Sequence, residues 1–469
     1  MAPETPEERV VWYAILGTWG FYLVGALYAV APVIAWVLFA MGLRTLCLEL
    51  VHGGSLRRFG ISWSVLAWFA GMAMMLVALV VGHLDHGLGL GAIVKSTIGW
   101  AKGWALLALF PFIGCLAIRP ALVIRAACRV GRHTALLVPL FVAAWLANLP
   151  GTLYVSPLKA IGGPGPEFFS VTLYEIDPGA GTPRWRMFTP WAPALGFVGN
   201  LYFLFALAEP DRRWRLWGLA GSLSMVLMSQ SRLAVVALAS VALGVWVVSR
   251  LSRPSMLYAG GIGCAALGLL AAPLMRAAES AVTAFREARA DSSRVRSALG
   301  RIAVERWRGE APVWGHGVVE RGPHLVEYMP IGSHHSWLGL LFVKGAVGFV
   351  SLAVPMLVTA AELALKSSRS GTARVGLGVT LTLFLYTFGE NLEVLAYLVW
   401  PGLLFLGMGT RPADAAHPRD CGRSDVPVGG RGAGVVDVDL DELAPARPRA
   451  GEREAMPAGS SGTAPDITL

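Results

Sequence analysis

The sequence has little charge for its length of 469 residues. Asp, Glu, Lys and Arg make up only 15% of it, whereas an average soluble domain has about 25%. Hydrophobic residues make up 55%. This balance excludes an ordinary water-soluble domain and predicts an integral membrane protein.

Cysteine is scarce as well, and so is any sign of a cleaved leader. The five cysteines have no paired spacing, which argues against a disulfide framework and against a zinc site. The first ten residues carry three glutamates and one arginine, with no small-residue cleavage site. We therefore expect the first helix to remain as a membrane anchor.

Apolar runs recur along the chain at roughly the length, about 20 residues, that crosses a bilayer. They predict an all-α polytopic transmembrane helix bundle of about 12 spans. The first run, 10–42, is too long for one span and is predicted to divide near Pro32. The other predicted spans are 61–82, 98–118, 134–149, 188–208, 217–229, 233–248, 255–274, 337–365, 375–388 and 394–408.

The net charge of +9 is explained by membrane topology rather than by a nucleic-acid partner. When the apolar runs alternate in direction, five basic connections fall on one side, as the positive-inside rule requires of cytoplasmic loops. We therefore expect both termini in the cytoplasm and no nucleic-acid binding.

Two polar segments are predicted to be external loops. The first, 150–187, carries aromatic and acidic residues such as Phe168 and Glu175. Such residues suit either a sugar platform, meaning a surface on which sugar rings bind, or an ordinary external loop, and the ordinary loop is favoured. The second, 276–333, is large, rich in arginine and predicted to be partly helical before the tenth span. The membrane domain is expected to cover 1–409, followed by a disordered cytoplasmic tail at 410–469.

A shorter external loop is predicted at 83–96. It holds His83, Asp85 and His86, a spacing that a metal site also uses. No further ligand lies nearby in sequence, so a solvated loop is favoured and no metal is expected.

Two adjacent histidines, His334 and His335, stand directly before a long apolar helix. We expect their imidazoles at the mouth of a membrane segment. At about 100° per residue, one stripe of the segment contains His334, Leu338, Leu341, Gly345 and Gly348. The two glycines are expected to let another helix approach closely.

These residues resemble the O-antigen ligase and O-antigen polymerase family. The family pattern is a histidine and a polar residue, nine residues, then Gly-x-x-Gly, which matches His334, Gly345 and Gly348; His335 replaces the usual Asn, Ser or Gln. Ser231-Arg232, between two apolar runs, is similar to the family's Ser-Arg step. The segment from Ser293 to Gly317 is similar to the region before the histidine. The resemblance is specific over about residues 220–350.

Arginines of the second loop form a pattern of their own. Val295, Leu299 and Ile302 recur at helical spacing and predict an amphipathic helix over about 291–308. Three arginines spaced seven residues apart share one face of it: Arg294, Arg301 and Arg308. This face suits either solvent and lipid headgroups or a bound phosphate.

Other ionisable residues are further candidates for the same site. The span before Arg232 is short, so this arginine either faces a cavity below the outer surface or extends to the headgroups. Lys344 has the same two alternatives. Glu390 and Glu393 form either a solvated turn or partners for the arginines. Possible substrate-site residues are thus His335, Arg308, Ser231, Glu390, Glu393 and Lys344.

A lipid-linked glycan suits groups that all lie at one membrane face. The hypothesis is that Arg232, Arg294 and Arg301 bind a diphosphate while His334, a neutral base near its ordinary pKa of about 6.5, deprotonates the acceptor hydroxyl and the anomeric centre inverts. The resemblance implies a bacterial inner-membrane glycosyltransferase that uses undecaprenyl diphosphate donors on the periplasmic side, without metal or cofactor.

The sequence leaves the acceptor open. A surface polysaccharide polymerase is favoured, an O-antigen ligase acting on a lipid A core is the alternative, and a transporter or flippase of lipid-linked sugar is third. The expected partners are the polyprenyl-diphosphate-linked donor, a glycan acceptor, membrane lipid and other polysaccharide assembly proteins.

Overall fold

A computed structural model describes residues 1–51, 60–177, 181–251, 253–287, 290–332 and 334–411. The predicted tail therefore lies outside the described residues from position 412 onward. Helices α1 to α16 are Pro6–Leu16, Thr18–Leu23, Leu27–Val51, Trp63–Asp85, Leu90–Lys102, Leu106–Gly114, Pro120–Leu146, Ala192–Ala208, Arg212–Ser229, Arg232–Val248, Pro254–Leu269, Ala271–Glu287, Ala290–Glu310, Ser336–Ser367, Gly371–Tyr386 and Leu392–Thr410.

Helices long and apolar enough to cross a bilayer confirm the polytopic, mainly helical class. Six such segments occur among the described residues: Leu27–Leu48, Trp63–Asp85, Leu90–Gly114, Pro120–Leu146, Ser336–Ser367 and Leu392–Thr410. The apolar helices α8 and α10 are shorter, at 17 residues each. The total of about 12 spans stays a prediction.

Helix α16 lies in the middle of the core. It is apolar on nearly every side, a pattern typical of a helix surrounded by others, and 17 of its 19 residues are buried. Glycine permits the closest of its contacts, since a Cβ on Gly407 would overlap the backbone carbonyl of Pro111 in α6. Trp400 stacks on Phe110 at 5.1 Å.

The bundle has two chemically distinct ends. At one end, Arg119 pairs with Glu8, Arg125 pairs with Glu209, and the Lys366 ammonium donates to the carbonyl of Thr410, all within 2.7 Å. We call this the basic end. The opposite end, where α14 begins and α15 joins α16, is called the His334 end.

The first apolar run divides earlier than predicted. Pro32 lies inside α3, near its start, whereas the chain breaks at residues 24–26. Gly25 has φ +69°, a conformation that glycine adopts without strain, and a Cβ there would lie 2.3 Å from the Cβ of Ser156. The predicted division near Pro32 is therefore wrong.

The segment 150–187 contains short strands, which the all-α prediction did not include. Strand β1 (Thr152–Val155) pairs antiparallel with β2 (Ser170–Thr172), and β3 (Glu175–Ile176) pairs antiparallel with β4 (Pro183–Arg184). Phe168 and Phe169 are buried and pack on Tyr28 of α3. These two rings belong to the core and do not form a sugar platform.

The predicted loop at 83–96 is mostly helical. Helix α4 continues to Asp85, and α5 begins at Leu90. His83 is fully buried, and its ring nitrogens bond the carbonyl of Leu79 at 2.7 Å and the hydroxyl of Ser96 at 2.9 Å. The solvated-loop interpretation is wrong for His83.

Candidate active site

Helix α14 begins at Ser336, so His334 lies in the turn before it. His335 is the N-cap residue, and its Nδ1 accepts a hydrogen bond of 3.4 Å from the amide of Leu338. Its ring also packs edge-on against Phe388 at 5.6 Å. His335 thus has a structural role, and the projection of His334 onto the helix face is wrong.

A backbone break divides α14 at Gly345, where φ is +61° and ψ is −162°. The segment 312–317 fills the break, because a Cβ on Gly345 would lie 2.2 Å from the carbonyl oxygen of Val313. Four backbone hydrogen bonds of 2.9–3.2 Å join them: His316 to Phe342, Gly317 to Val343, Ala346 to Pro312, and Val347 to Val313. A loop, not the expected second helix, approaches Gly345.

Side chains hold the inserted segment in place. His316 is 2% exposed, stacks on Phe342 at 4.3 Å, and its Nε2 lies 2.8 Å from a carboxylate oxygen of Glu310. Arg306 pairs with the same carboxylate at 2.7 Å. Hydrogen bonds from Arg306 and then His316 lower the pKa of Glu310 to about 2. These contacts satisfy the polar groups that a broken helix exposes inside a membrane.

The first turn of α14 is bound to the turn between α15 and α16. The Ser336 hydroxyl donates to the carbonyl of Glu390 at 2.6 Å and accepts from the amide of Leu392 at 3.0 Å. The Ser336 amide donates to the carbonyl of Thr387 at 2.8 Å. Because Ser336 is 2% exposed, this link holds the residues before α14 beside Glu390.

Glu390 is a buried carboxyl group at this turn. It is 5% exposed, and its Oε2 accepts a hydrogen bond of 2.8 Å from the indole of Trp191. Burial raises the pKa of Glu390 to about 7, against the opposing effects of Trp191, Arg296 and Arg184. Near neutral pH the group is therefore close to half ionised.

Arg296 of α13 acts on both Glu390 and His334. Burial lowers the pKa of His334 to about 4, and the positive charge of Arg296 adds to this effect. The same charge opposes the rise in the pKa of Glu390. Three parts of the chain thus contribute one residue each to a cluster: α13 contributes Arg296, the turn before α14 contributes His334, and the turn between α15 and α16 contributes Glu390. At neutral pH the imidazole is uncharged.

The predicted arginine face of α13 lies on a different side of the helix from Arg296, and its role in binding a diphosphate stays a prediction. Arg294, Arg301 and Arg308 are exposed, as Arg296 is, and the Arg294 guanidinium donates to the carbonyl of Leu325 at 3.3 Å. At about 100° per residue, Arg296 lies about 120–160° from that face. Arg296 and Gly300 lie on the same side of α13. This side faces α14, because a Cβ added to Gly300 would lie 2.9 Å from the side chain of Leu338.

Arg232 lies at the same end of the bundle. Ser231 caps α10 by accepting from the amide of Ala234 at 3.3 Å, and Arg232 is the first helical residue, with an exposed side chain. The next residue, Leu233, lies against Gly389, because a Cβ added to Gly389 would be 2.8 Å from the Cδ2 atom of Leu233. The turn that carries Glu390 thus contacts both α10 and α14.

Lys344 and Glu393 lie deeper and interact with each other electrostatically. Lys344 is 4% exposed and directly precedes the break at Gly345. Glu393 packs against the interruption between α5 and α6, where a Cβ on Gly103 would lie 2.7 Å from its Cγ. In this structure Lys344 faces the protein interior, so the headgroup alternative does not apply.

Sequence reasoning missed Arg296 of this cluster and also Trp191 and Arg184, which act on Glu390. Arg296 had a signal, since it lies beside Leu299 and Ala303 on the apolar side of α13. The seven-residue repeat selected a different side of the helix instead. No local pattern indicates Trp191, because its partner Glu390 lies 199 positions later in the chain.

The helices and this cluster define a polytopic membrane protein with a half-buried histidine, a buried carboxyl group and an arginine at one end. Residues 217–353 match the family described as O-antigen ligase. This match confirms the resemblance seen in the motifs, and it covers 137 of the 469 residues of the chain. The matched region includes Arg232, Arg296 and His334, and Glu390 follows it. No curated protein matches the chain.

Proposed function

We propose that this protein is a glycosyltransferase that polymerises lipid-linked oligosaccharide repeat units. The observation that carries the proposal is the cluster of His334, Glu390 and Arg296 at one end of a membrane bundle. A polyprenyl-diphosphate glycan suits this position, since its tail lies in lipid, its diphosphate at headgroup depth and its sugars in water.

The proposed reaction is a single displacement. A hydroxyl oxygen of the acceptor sugar bonds to the anomeric carbon of the donor, and the bond from that carbon to the diphosphate oxygen breaks. His334 takes the hydroxyl proton, and the diphosphate leaves with the bonding electrons, so the anomeric centre inverts. Diphosphate is a good leaving group, and a neutral imidazole is therefore a sufficient base.

Arginines stabilise the charge that grows on the leaving diphosphate. We assign this role to Arg296, whose charge acts on Glu390, and to Arg232, whose neighbour Leu233 lies against Gly389 in the same turn. Arg294 and Arg301, on a different face of α13 from Arg296, are assigned to the headgroup region around the donor. Glu390 is a positioning residue that orients Arg296 electrostatically, and Trp191 holds its carboxyl group.

We further propose about 12 crossings, with the basic end in the cytoplasm of a bacterial cell and the His334 end in the periplasm. The positive-inside rule supports this orientation, because Arg119, Arg125 and Lys366 all lie at the basic end. Long loops are exempt from the rule, so the arginines of α13 do not oppose it.

The description of the matched family as O-antigen ligase supports a second acceptor, a lipid A core. Both activities need the same donor site. The test is to reconstitute the purified protein in liposomes with a labelled lipid-linked repeat unit, with and without core acceptor. Longer lipid-linked chains support the polymerase, and label on the core supports the ligase. Unchanged substrate in the opposite leaflet would contradict both and indicate a transporter.

A further inference from the structure

A row of arginines on α7 lies at the basic end, far from the His334 cluster. Arg125, Arg129 and Arg132 are spaced four and three residues apart, which places them on one face of the helix. Arg129 and Arg132 lie about 26 and about 21 Å from Leu146 at the other end of α7. In a hydrocarbon layer about 30 Å thick with Leu146 at the far boundary, the two residues lie about 4 and about 9 Å inside the near boundary. Side chains on a helix tilt toward its N-terminus, which for α7 is the basic end.

Tryptophan rings from two other helices cover these guanidinium groups. Arg129 lies between Trp12 of α1, at 4.8 Å, and Trp214 of α9, at 5.2 Å. Arg132 lies 5.6 Å from Trp217. Stacking occupies the flat faces of a guanidinium and leaves its N–H edges to bind an anion.

Glycines hold this arrangement rigid. A Cβ on Gly221 of α9 would lie 2.1 Å from the carbonyl oxygen of Gly131 in α7, so the two backbones touch. A Cβ on Gly218 would lie 2.7 Å from the sulfur of Cys128. The close crossing fixes Trp214 and Trp217 beside the arginine row, and the groups do not depend on a mobile loop.

The arginines of the row differ in their partners. Arg125 binds Glu209 through two hydrogen bonds of 2.7 and 2.9 Å. By contrast, none of the carboxylates in the described ranges lies within 4 Å of Arg129 or Arg132. The Nε atoms of both are buried and have no hydrogen-bond partner among the described residues. Two positive charges in the half of the bilayer at the basic end therefore lack a protein counter-ion among the described residues.

We propose that Arg129 and Arg132, framed by Trp12, Trp214 and Trp217, bind the phosphate group of an anionic phospholipid. Phosphate oxygens match the fork of N–H donors on arginine, and basic pockets between membrane helices suit anionic headgroups. The site lies in the leaflet at the basic end, which is the cytoplasmic leaflet in the orientation proposed above. It is separate from the glycan site.

The test measures lipid binding to the purified full-length protein in detergent, by native mass spectrometry and by thermal unfolding. Phosphatidylglycerol, phosphatidylcholine and inorganic phosphate are titrated separately. The Arg129→Gln/Arg132→Gln variant should bind phosphatidylglycerol about 25-fold more weakly than wild type, at about fivefold per arginine. The matched control is Arg212→Gln/Arg213→Gln, which removes two exposed arginines at the same end and should bind as wild type does.

Preference for phosphatidylglycerol over inorganic phosphate, lost only in the Arg129/Arg132 variant, supports a lipid site. Equal protection by inorganic phosphate, lost in the same variant, supports a phosphate site open to free anions. Unchanged binding in that variant, or an equal loss in the control, would overturn the proposal. If the double variant fails to fold, Arg132→Gln alone should weaken binding about fivefold, and unchanged binding there would overturn it too.

Discussion

The hydroxyl of Ser336 donates a hydrogen bond of 2.6 Å to the backbone carbonyl of Glu390, 54 positions later in the chain. This bond joins the start of α14 to the turn between α15 and α16. It places the histidine turn, which precedes α14, next to a buried carboxyl group. The proposed catalytic arrangement depends on this link between two transmembrane helices.

His334 and Glu390 should give the stability of the protein opposite responses to pH. Burial raises the pKa of Glu390 to about 7 from 4.5. Below pH 4.5 ionisation therefore adds no cost to folding, and the cost grows as pH rises from 4.5 to about 7. That cost reaches about 3 kcal/mol. Burial lowers the pKa of His334 to about 4 from 6.5, so its cost grows as pH falls from 6.5 to 4.

Single substitutions should separate the two responses. Wild type should have a nearly flat thermal unfolding midpoint between about pH 4.5 and 6.5, because the two slopes offset each other. In Glu390→Gln the midpoint should rise with pH over this range, and in His334→Gln it should fall. Differential scanning fluorimetry across pH checks this. Parallel profiles for wild type and both variants would show that neither pKa is shifted.

Arg296 and Arg294 form a matched pair on opposite faces of α13. Arg296→Gln removes the positive charge that faces His334 and Glu390, so the pKa of both groups should rise. If Arg296 stabilises the diphosphate, glycan transfer should fall by about 10²-fold. Arg294→Gln should retain activity close to wild type. A larger loss of transfer in Arg294→Gln than in Arg296→Gln would indicate instead that the face with Arg294, Arg301 and Arg308 binds the diphosphate.

Gly345 tests the importance of the break in α14. An alanine there would be strained at φ +61° and would overlap the carbonyl of Val313. Gly345→Ala should destabilise the protein by about 2–4 kcal/mol and impair transfer. Gly99→Ala in α5 is the control, since a Cβ there has nothing within 4 Å. Equal unfolding midpoints for the two variants would mean that the break is not required.

Composition and periodicity were sufficient to predict the membrane class and a helix in the second loop, since both depend on local patterns. The family motifs also lie within one continuous region, 217–353. The break at Gly345 could not be predicted, because helical projection assumes a regular backbone. What causes the break is a segment some thirty positions earlier, 312–317, bonded to Phe342 and Val343.

The choice of arginines on α13 shows a second limit. Sequence spacing indicates which residues share a face, but not which face meets the site. Leu299 and Ala303 pack with Leu338 and Phe342 of α14, and Arg296 lies on that side of α13, whereas the repeat at 294, 301 and 308 lies on a different side. Likewise, the N-cap hydrogen bond of His335 distinguishes it from His334, which two adjacent histidines in a sequence cannot do.

The comparison of His334→Ala with His335→Asn tests the central claim most directly. Asparagine retains an N-cap acceptor for α14, so His335→Asn should fold and transfer glycan like wild type. His334→Ala should fold but lose transfer by about 10²–10⁴-fold. The measurement is chain extension of a labelled lipid-linked repeat unit by each purified protein in liposomes. Wild-type extension by His334→Ala would contradict the account.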